Sequence, residues 1–187
     1  TRALNKTDVL VEAVRVARDR VLARVQELPS AEAYSRPVEG AWSVAEIVEH
    51  LVHAEALGIA GLWKKAERLA AGGSPSHPLT PELAGRSIDE VFADLPENGV
   101  DAPDSVLPVA HGRPIGLWIA RLRSNHGLLR ELAPVLDRAG LEQVVLPHFV
   151  AGPLNARQRI EFLRWHLERH ERQILRTVVA VRSDSGG

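Results

Sequence analysis

Residues 43–71 read SVAEIVEHLVHAEALGIAGLWKKAERLAA. Ser43 followed by Glu46 is a capping box: the hydroxyl and the carboxylate reciprocally satisfy backbone N–H groups left free at a helix start. Ile47, Leu51, Ala54 and Gly58 then recur at helical spacing and define a packed side, and Gly72-Gly73 stops the pattern. The stretch predicts a helix of more than seven turns, amphipathic, with His50 at the edge of its apolar stripe and His53 about 60° further toward solvent, at 100° per residue.

The same period governs most of the chain. Leu10, Val11, Val14, Val16, Ala17, Val21, Leu22 and Val25 predict a first helix from Thr7 to about Leu28, ended by Pro29. Ile115 to about Ala139 predicts a third, with Leu117, Ile119, Leu122, Leu128, Leu129, Leu132, Val135 and Leu136 as its buried side and Gly140 as its stop. Asn155-Ala156-Arg157-Gln158 repeats the capping logic before a fourth helix that continues to about Val181, leaving 182–187 as a frayed tail. Between the second and third helices, residues 74–114 are rich in Pro, Gly, Ser and Asp and hold at most one short helix near Ser87 to Leu95. No Val/Thr/Ile alternation is long enough to demand a sheet. An all-α chain, 1–187 as one domain, with a long 74–114 crossover in a four-helix bundle, is the economical reading.

Composition narrows the chemistry. The chain has 187 residues, 23 Lys+Arg against 24 Asp+Glu, eight His and no Cys. A net charge of -1 offers no general pull on nucleic acid or acidic membranes. No run approaches the roughly 20 apolar residues a membrane helix needs, and the interrupted start gives no secretory signal. The expectation is a soluble, cytoplasmic protein with a small-molecule substrate, no nucleic-acid or membrane partner, and a homodimer left open. Without Cys, any soft metal must be held by His, Asp or Glu, and any thiol must arrive as a small molecule.

His166 and His170 lie four apart on the fourth helix, one turn apart on one side, within about 80° of the apolar stripe of Phe162, Leu163, Leu167, Ile174 and Val178. That spacing suits a divalent metal, and it equally suits semi-buried, hydrogen-bonded imidazoles. A third ligand must come from another helix, and His50 is the better candidate than His53, which reads as solvated or as an outer partner. Glu46 points near enough to be a ligand or a tautomer-fixing acceptor, with the capping box as its competing role. Glu46, His53 and Glu161 are the nearest proton acceptors in direction. Trp42 and Trp165 could wall a pocket or simply pack the core. His77 and His111 read as surface residues of the crossover. His126 and His148 could approach the site, although structural roles are the more ordinary reading. Arg157, Arg159, Arg164, Arg169, Arg172 and Arg176, alternating with Glu161, Glu168 and Glu171, read as a solvated face of mixed sign.

Trp42-Ser43, Glu46 and His50-Leu51, taken with His166-x-x-x-His170-x-x-Gln173-Ile174, resemble the DinB/YfiT-like superfamily of metalloenzymes. His148-Phe149 and Gly152-Pro153-Leu154 also look like that family's lead into its last helix, so the likeness spans most of the chain. The resemblance implies an up-down-down-up four-helix bundle whose metal, commonly zinc or nickel, is bound by three His, here His50, His166 and His170. It also implies relatives that include thiol S-transferases and thiol-dependent isomerases. The 74–114 segment is longer than a minimal member needs, which puts any inherited substrate in doubt. Three neutral imidazoles would leave an open coordination position and the full 2+ charge on the metal, the arrangement of a catalytic site. A transferase activating a low-molecular-weight thiol is the leading expectation. A hydrolase using metal-bound hydroxide and a non-catalytic, dimeric metal- or ligand-binding scaffold are the alternatives. Metal affinity is expected to fall below about pH 6, where free imidazole protonates.

Overall fold

The computed structural model describes residues 5–74, 77–97, 100–109 and 112–184. Four long helices dominate: α1 (Lys6–Gln26), α3 (Val44–Ala70), α6 (Ile115–Ala139) and α7 (Ala156–Asp184). Between α1 and α3 lies the short α2 (Ser30–Tyr34); the crossover carries α4 (Pro81–Gly85), α5 (Ile88–Val91) and a 3-10 turn at Asp104–Val106. Each long helix begins or ends where local chemistry requires. Asn5 and Asp8 form the capping box of α1, Ser43 and Glu46 that of α3. At α7, the Asn155 side chain accepts from the Gln158 N–H at 2.9 Å while Gln158 accepts from the Asn155 N–H at 3.0 Å. Gly140, at φ +87°, turns the chain out of α6 in a conformation that a side chain would strain.

Cross-helix contacts fix the directions. Thr7 near the start of α1 bonds Asp137 near the end of α6, so these two run antiparallel. Arg20 reaches Glu168 and Glu171, and Arg182 reaches Glu32 just beyond α1, so α1 and α7 run parallel. His50 meets His166 while Gly58 faces Arg159, so α3 runs against α7. The result is an up-down-down-up four-helix bundle. Two consecutive parallel helices, α3 and α6, cannot be joined by a tight turn, which is why the crossover must be long. Val14, Val21, Val48, Leu51, Leu122, Leu129, Leu136, Ile160, Leu167 and Ile174 fill the centre, all buried. Each such aliphatic side chain contributes about 1.5–3 kcal/mol when fully removed from water. No helix among the described residues is long and apolar enough to cross a membrane.

Five details depart from the sequence reading. Val16, Leu117 and Leu128, read as part of the apolar sides of their helices, are exposed. The segment before α7 forms an antiparallel hairpin, β1 (Val145–His148) with β2 (Gly152–Asn155), in the register Val145↔Asn155 to His148↔Gly152. Pro147 pairs with Pro153, and neither can donate to a ladder, so no strand alternation was available to read. The connection after Pro29 contains the single turn and a half of α2. The fourth helix does not fray at 182 but continues to Asp184, with Arg182 paired to Glu32; residues 185–187 lie outside the described residues. The crossover, finally, is clamped to α7. Arg157 donates to the carbonyls of Ala84 and Arg86, Gln158 to those of Leu83 and Arg86, Arg164 pairs with Asp89, and Arg169 donates to the carbonyls of Pro96 and Glu97. Most of the arginines read as a solvated face are therefore staples. Behind them a second apolar cluster, Ile88, Phe92, Leu154 and Phe162, joins the crossover, the hairpin and α7.

Candidate metal centre

α3 and α7 cross where His50 and the pair His166/His170 face each other. All three imidazoles are buried, at 4%, 8% and 8% exposure, and they meet through Nε2: His50 to His166 at 3.2 Å and His170 to His166 at 3.0 Å. A tetrahedral ion about 2.05 Å from each of two nitrogens holds them about 3.3 Å apart, so these gaps are already close to those of one face of such a site. The outer nitrogens select the tautomers. His50 Nδ1 lies 2.9 Å from the Val106 carbonyl oxygen, which can only accept, so the His50 proton sits on Nδ1. His170 Nδ1 donates to Gln173 Oε1 at 2.7 Å. Both Nε2 atoms are left as bare lone pairs aimed at the same point, the arrangement in which an outer acceptor prepares a metal-binding imidazole. His166 Nδ1 is buried without a partner among the described residues, and its ring stacks on Phe162 at 5.1 Å.

Burial is the first cause that holds all three rings neutral. It lowers His50, pulls His170 down to about 3 and takes His166 well below the usual range; repulsion from the neighbouring rings adds to the effect on His166 and His170, and His53 adds to that on His50. Lone pairs are thus kept available well below the pH at which exposed imidazole protonates, so the proton competition expected near pH 6 begins lower in this site. His50, His166 and His170 are the one group of His, Asp and Glu among the described residues whose ligand atoms lie close enough together to hold an ion.

The imidazoles floor a cavity of about 550 Å³, a size suited to a small organic ligand. Trp42, 5.0 Å from His50, and Trp165, stacked on Phe92 at 4.8 Å, both wall it. The crossover supplies Phe92, Leu95 and Val106, and the hairpin supplies His148 and Phe149. The three proton acceptors chosen by direction stand elsewhere. Glu46 accepts from the Ser43 N–H at 2.8 Å and pairs with Arg36, so the capping role is the one it fills. His53 packs edge-on to Trp118 on the α6 side, 3.5 Å from Glu49. Glu161 pairs with Arg157 and accepts from the Ile88 N–H. His126 sits against α1 near Arg15 and Arg18, His77 is exposed, and His111 lies outside the described residues. Among the cavity residues with no such role in the sequence reading are Phe92, Leu95 and Val106 of the crossover, whose fold around the site is set by tertiary contacts, and Arg159, hidden among the other arginines of α7.

With the geometry in place, comparison of the sequence with family models decides the lineage: the model of the DinB superfamily matches residues 13–174. The chain belongs to the DinB superfamily. Two solved structures share its fold. YfiT from Bacillus subtilis, described as a probable metal-dependent hydrolase with an unusual four-helix bundle topology, is 14% identical with a TM-score of 0.58, over 95% of this chain and 89% of that one. A conserved protein from Enterococcus faecalis is 20% identical with a TM-score of 0.57, over 97% and 99% of the two chains. No curated protein matches the sequence. As a DinB superfamily member the chain carries its three-His cluster on the second and fourth long helices, α3 and α7.

Proposed function

We propose that this protein is a divalent-metal enzyme acting on small molecules, and that its reaction is transfer to or through a low-molecular-weight thiol. The observation that carries the reading is the convergence of three bare or neutral Nε2 atoms on the floor of an aromatic-walled cavity, with Glu46, His53 and Glu161 all committed elsewhere. A zinc or nickel ion held by His50, His166 and His170 would supply Lewis acidity, enough to keep a small thiol ionised at neutral pH. The chain's own residues do the rest. Val106 and Gln173 fix ring orientation, and the aromatic walls exclude water. Thiolate attack needs no general base at the site, whereas activation of water benefits from one.

A hydrolase is the second reading, supported by Asp101. Of the two acids lining the cavity, Glu97 is held by Arg172 and Arg176, while Asp101 makes no ion pair among the described residues. The experiment has two stages. Metal content of the purified protein is compared with that of His166→Ala; equal content in both would end the metal reading. Turnover of a chlorinated aromatic probe is then followed with and without an added small thiol, beside a panel of esters and amides. Thiol-dependent turnover supports the transferase, thiol-independent cleavage of the panel supports the hydrolase, and silence in both with bound metal favours a binding role.

A further inference from the structure

α7 carries seven arginines, and six of them have evident partners. Arg157 pairs with Glu142 and Glu161, Arg164 with Asp89 and Glu168, Arg172 and Arg176 with Glu97, and Arg182 with Glu32, while Arg169 donates to two crossover carbonyls. Arg159 is the exception. It lines the cavity and makes no hydrogen bond or ion pair among the described residues. Its guanidinium lies over the Phe162 ring at 5.4 Å and against Gly58 of α3, where one of its terminal nitrogens stands 3.5 Å from the place a Cβ would occupy. That spacing is ordinary van der Waals contact, so the guanidinium packs beside α3 without crowding it. Burial lowers the Arg159 pKa to about 10, which still leaves it charged at neutral pH. A partly buried cation without a counter-charge is costly to keep unless something completes it.

His148, at the end of β1, presents a second incomplete donor. Its Nδ1 accepts from the N–H groups of Val150 at 3.2 Å and Ala151 at 3.4 Å, which places the ring proton on Nε2. That Nε2–H is buried, on a residue 6% exposed, and has no acceptor among the described residues. Burial, and then the charge of Arg159, hold the ring neutral. The donor therefore persists across the physiological range. Both unpartnered donors line the same cavity, one on α7 and one on the hairpin, and aromatic surface separates them from the metal ligands: Phe162 stacks on His166 and faces His148 at 4.5 Å.

We propose that Arg159 and His148 form an anion subsite that takes the carboxylate of a small ligand, whose apolar body lies against Phe92 and Phe162 and whose other end reaches His50, His166 and His170. Arg159 and His166 are seven residues apart on one face of α7, about 10 Å along the axis. A ligand that spans the two therefore carries a small apolar body between its carboxylate and its other end. The subsite itself needs only Arg159 and His148; the orientation of the ligand toward the imidazoles rests on the metal-enzyme reading above. The carboxylate belongs either to the molecule being modified or to the thiol that modifies it, and the same donors serve both.

The test measures dissociation constants by titration calorimetry for two acid/neutral pairs: phenylacetate with phenylacetamide, and N-acetylcysteine with its amide. Zinc-loaded and metal-stripped proteins are compared. At least one acid should bind tenfold or more tightly than its amide, and the pair that shows the preference identifies the source of the carboxylate. Arg159→Met should abolish the preference, Arg159→Lys should restore part of it, and His148→Asn should weaken acid binding several-fold. Zinc content should be unchanged in Arg159→Met, and its melting temperature should be equal or higher, because a partly buried charge without a counter-charge has been removed. Arg159→Gln provides the same reading if the Met variant fails to fold. Equal binding of acid and amide by the wild-type protein, or a preference that survives both neutral variants, overturns the subsite. An acid preference that persists in metal-stripped protein while zinc proves not to bind the three imidazoles would leave the subsite standing and remove the metal reading; bound zinc without acid preference does the reverse.

Discussion

The ion pair between Arg18 of α1 and Glu55 of α3 offers a sharp test of how the bundle is held together. Both residues are 1% exposed, and the Arg18 terminal nitrogen lies 2.9 and 3.0 Å from the two Glu55 oxygens. Asn125 of α6 completes the group, donating at 3.2 Å to Glu55 Oε2 and to the Val52 carbonyl. The remaining Arg18 nitrogens, Nε and one terminal group, are buried without partners among the described residues, so the arginine is only partly satisfied there. Burial pushes the Glu55 carboxyl upward, and Arg18 and Asn125 oppose the shift. Glu55→Leu would strand the guanidinium in the core, at a cost of about 3–5 kcal/mol. In a domain of this size that lowers the melting temperature by about 10 °C. The double variant Arg18→Met/Glu55→Leu removes both charges and should return to within about 1 kcal/mol of the wild type. Even if Arg18→Met alone were neutral, because a stranded Glu55 can take up a proton, the coupling in the cycle would be at least about 2 kcal/mol. Urea unfolding at constant slope is the assay. A single variant that loses less than about 1 kcal/mol, or a double variant no better than the sum of the singles, would refute the view that Arg18 depends on Glu55.

Three further outcomes are expected. Metal-free protein should be most stable above about pH 6.5 and lose roughly 1 kcal/mol per pH unit for each buried imidazole as the pH falls below that value, because the unfolded rings take up protons that the folded rings refuse. His148 and His170, both held at about 3 by burial, set the lower end of that window, and flat urea midpoints between pH 7 and 5 would contradict it. Ser43→Ala should cost about 1 kcal/mol by removing the acceptor for the Glu46 N–H, measurable as a shift in urea midpoint. Gly61→Ala would set a methyl carbon 2.9 Å from Leu146 of β1. The side chain can yield, so a loss of about 1–2 kcal/mol is expected, read by thermal melting.

Legibility in the sequence followed the strength of local signals. The ends of α3, α6 and the start of α7 were readable because Ser43/Glu46, Gly140 and Asn155/Gln158 are chemical punctuation that acts within a few residues. His50, His166 and His170 were readable because helical phase puts them on inward stripes. Arg159 was not, since it was judged by its neighbours' alternating charge. The same phase that joins 162, 166 and 170 extends back to 159, and following that stripe one step further would have separated it from the staples. The hairpin carried no comparable signal, since four-residue strands with facing prolines have no period; the short helix near Ser87 was legible and is α5, with its own Ser87/Glu90 capping box, whereas the place of Phe92 is set by tertiary contacts with Leu154 and Phe162.

The contact between the His50 Nδ1–H and the Val106 carbonyl has a consequence for how such a site can change over time. A carbonyl oxygen is present whatever side chain occupies the position, so the crossover can be rewritten almost freely, altering the cavity mouth and the molecules it admits, while still orienting His50. What must be preserved there is the path of the main chain. Variation in the wall and constancy in the floor are thereby uncoupled by a hydrogen bond that is blind to sequence.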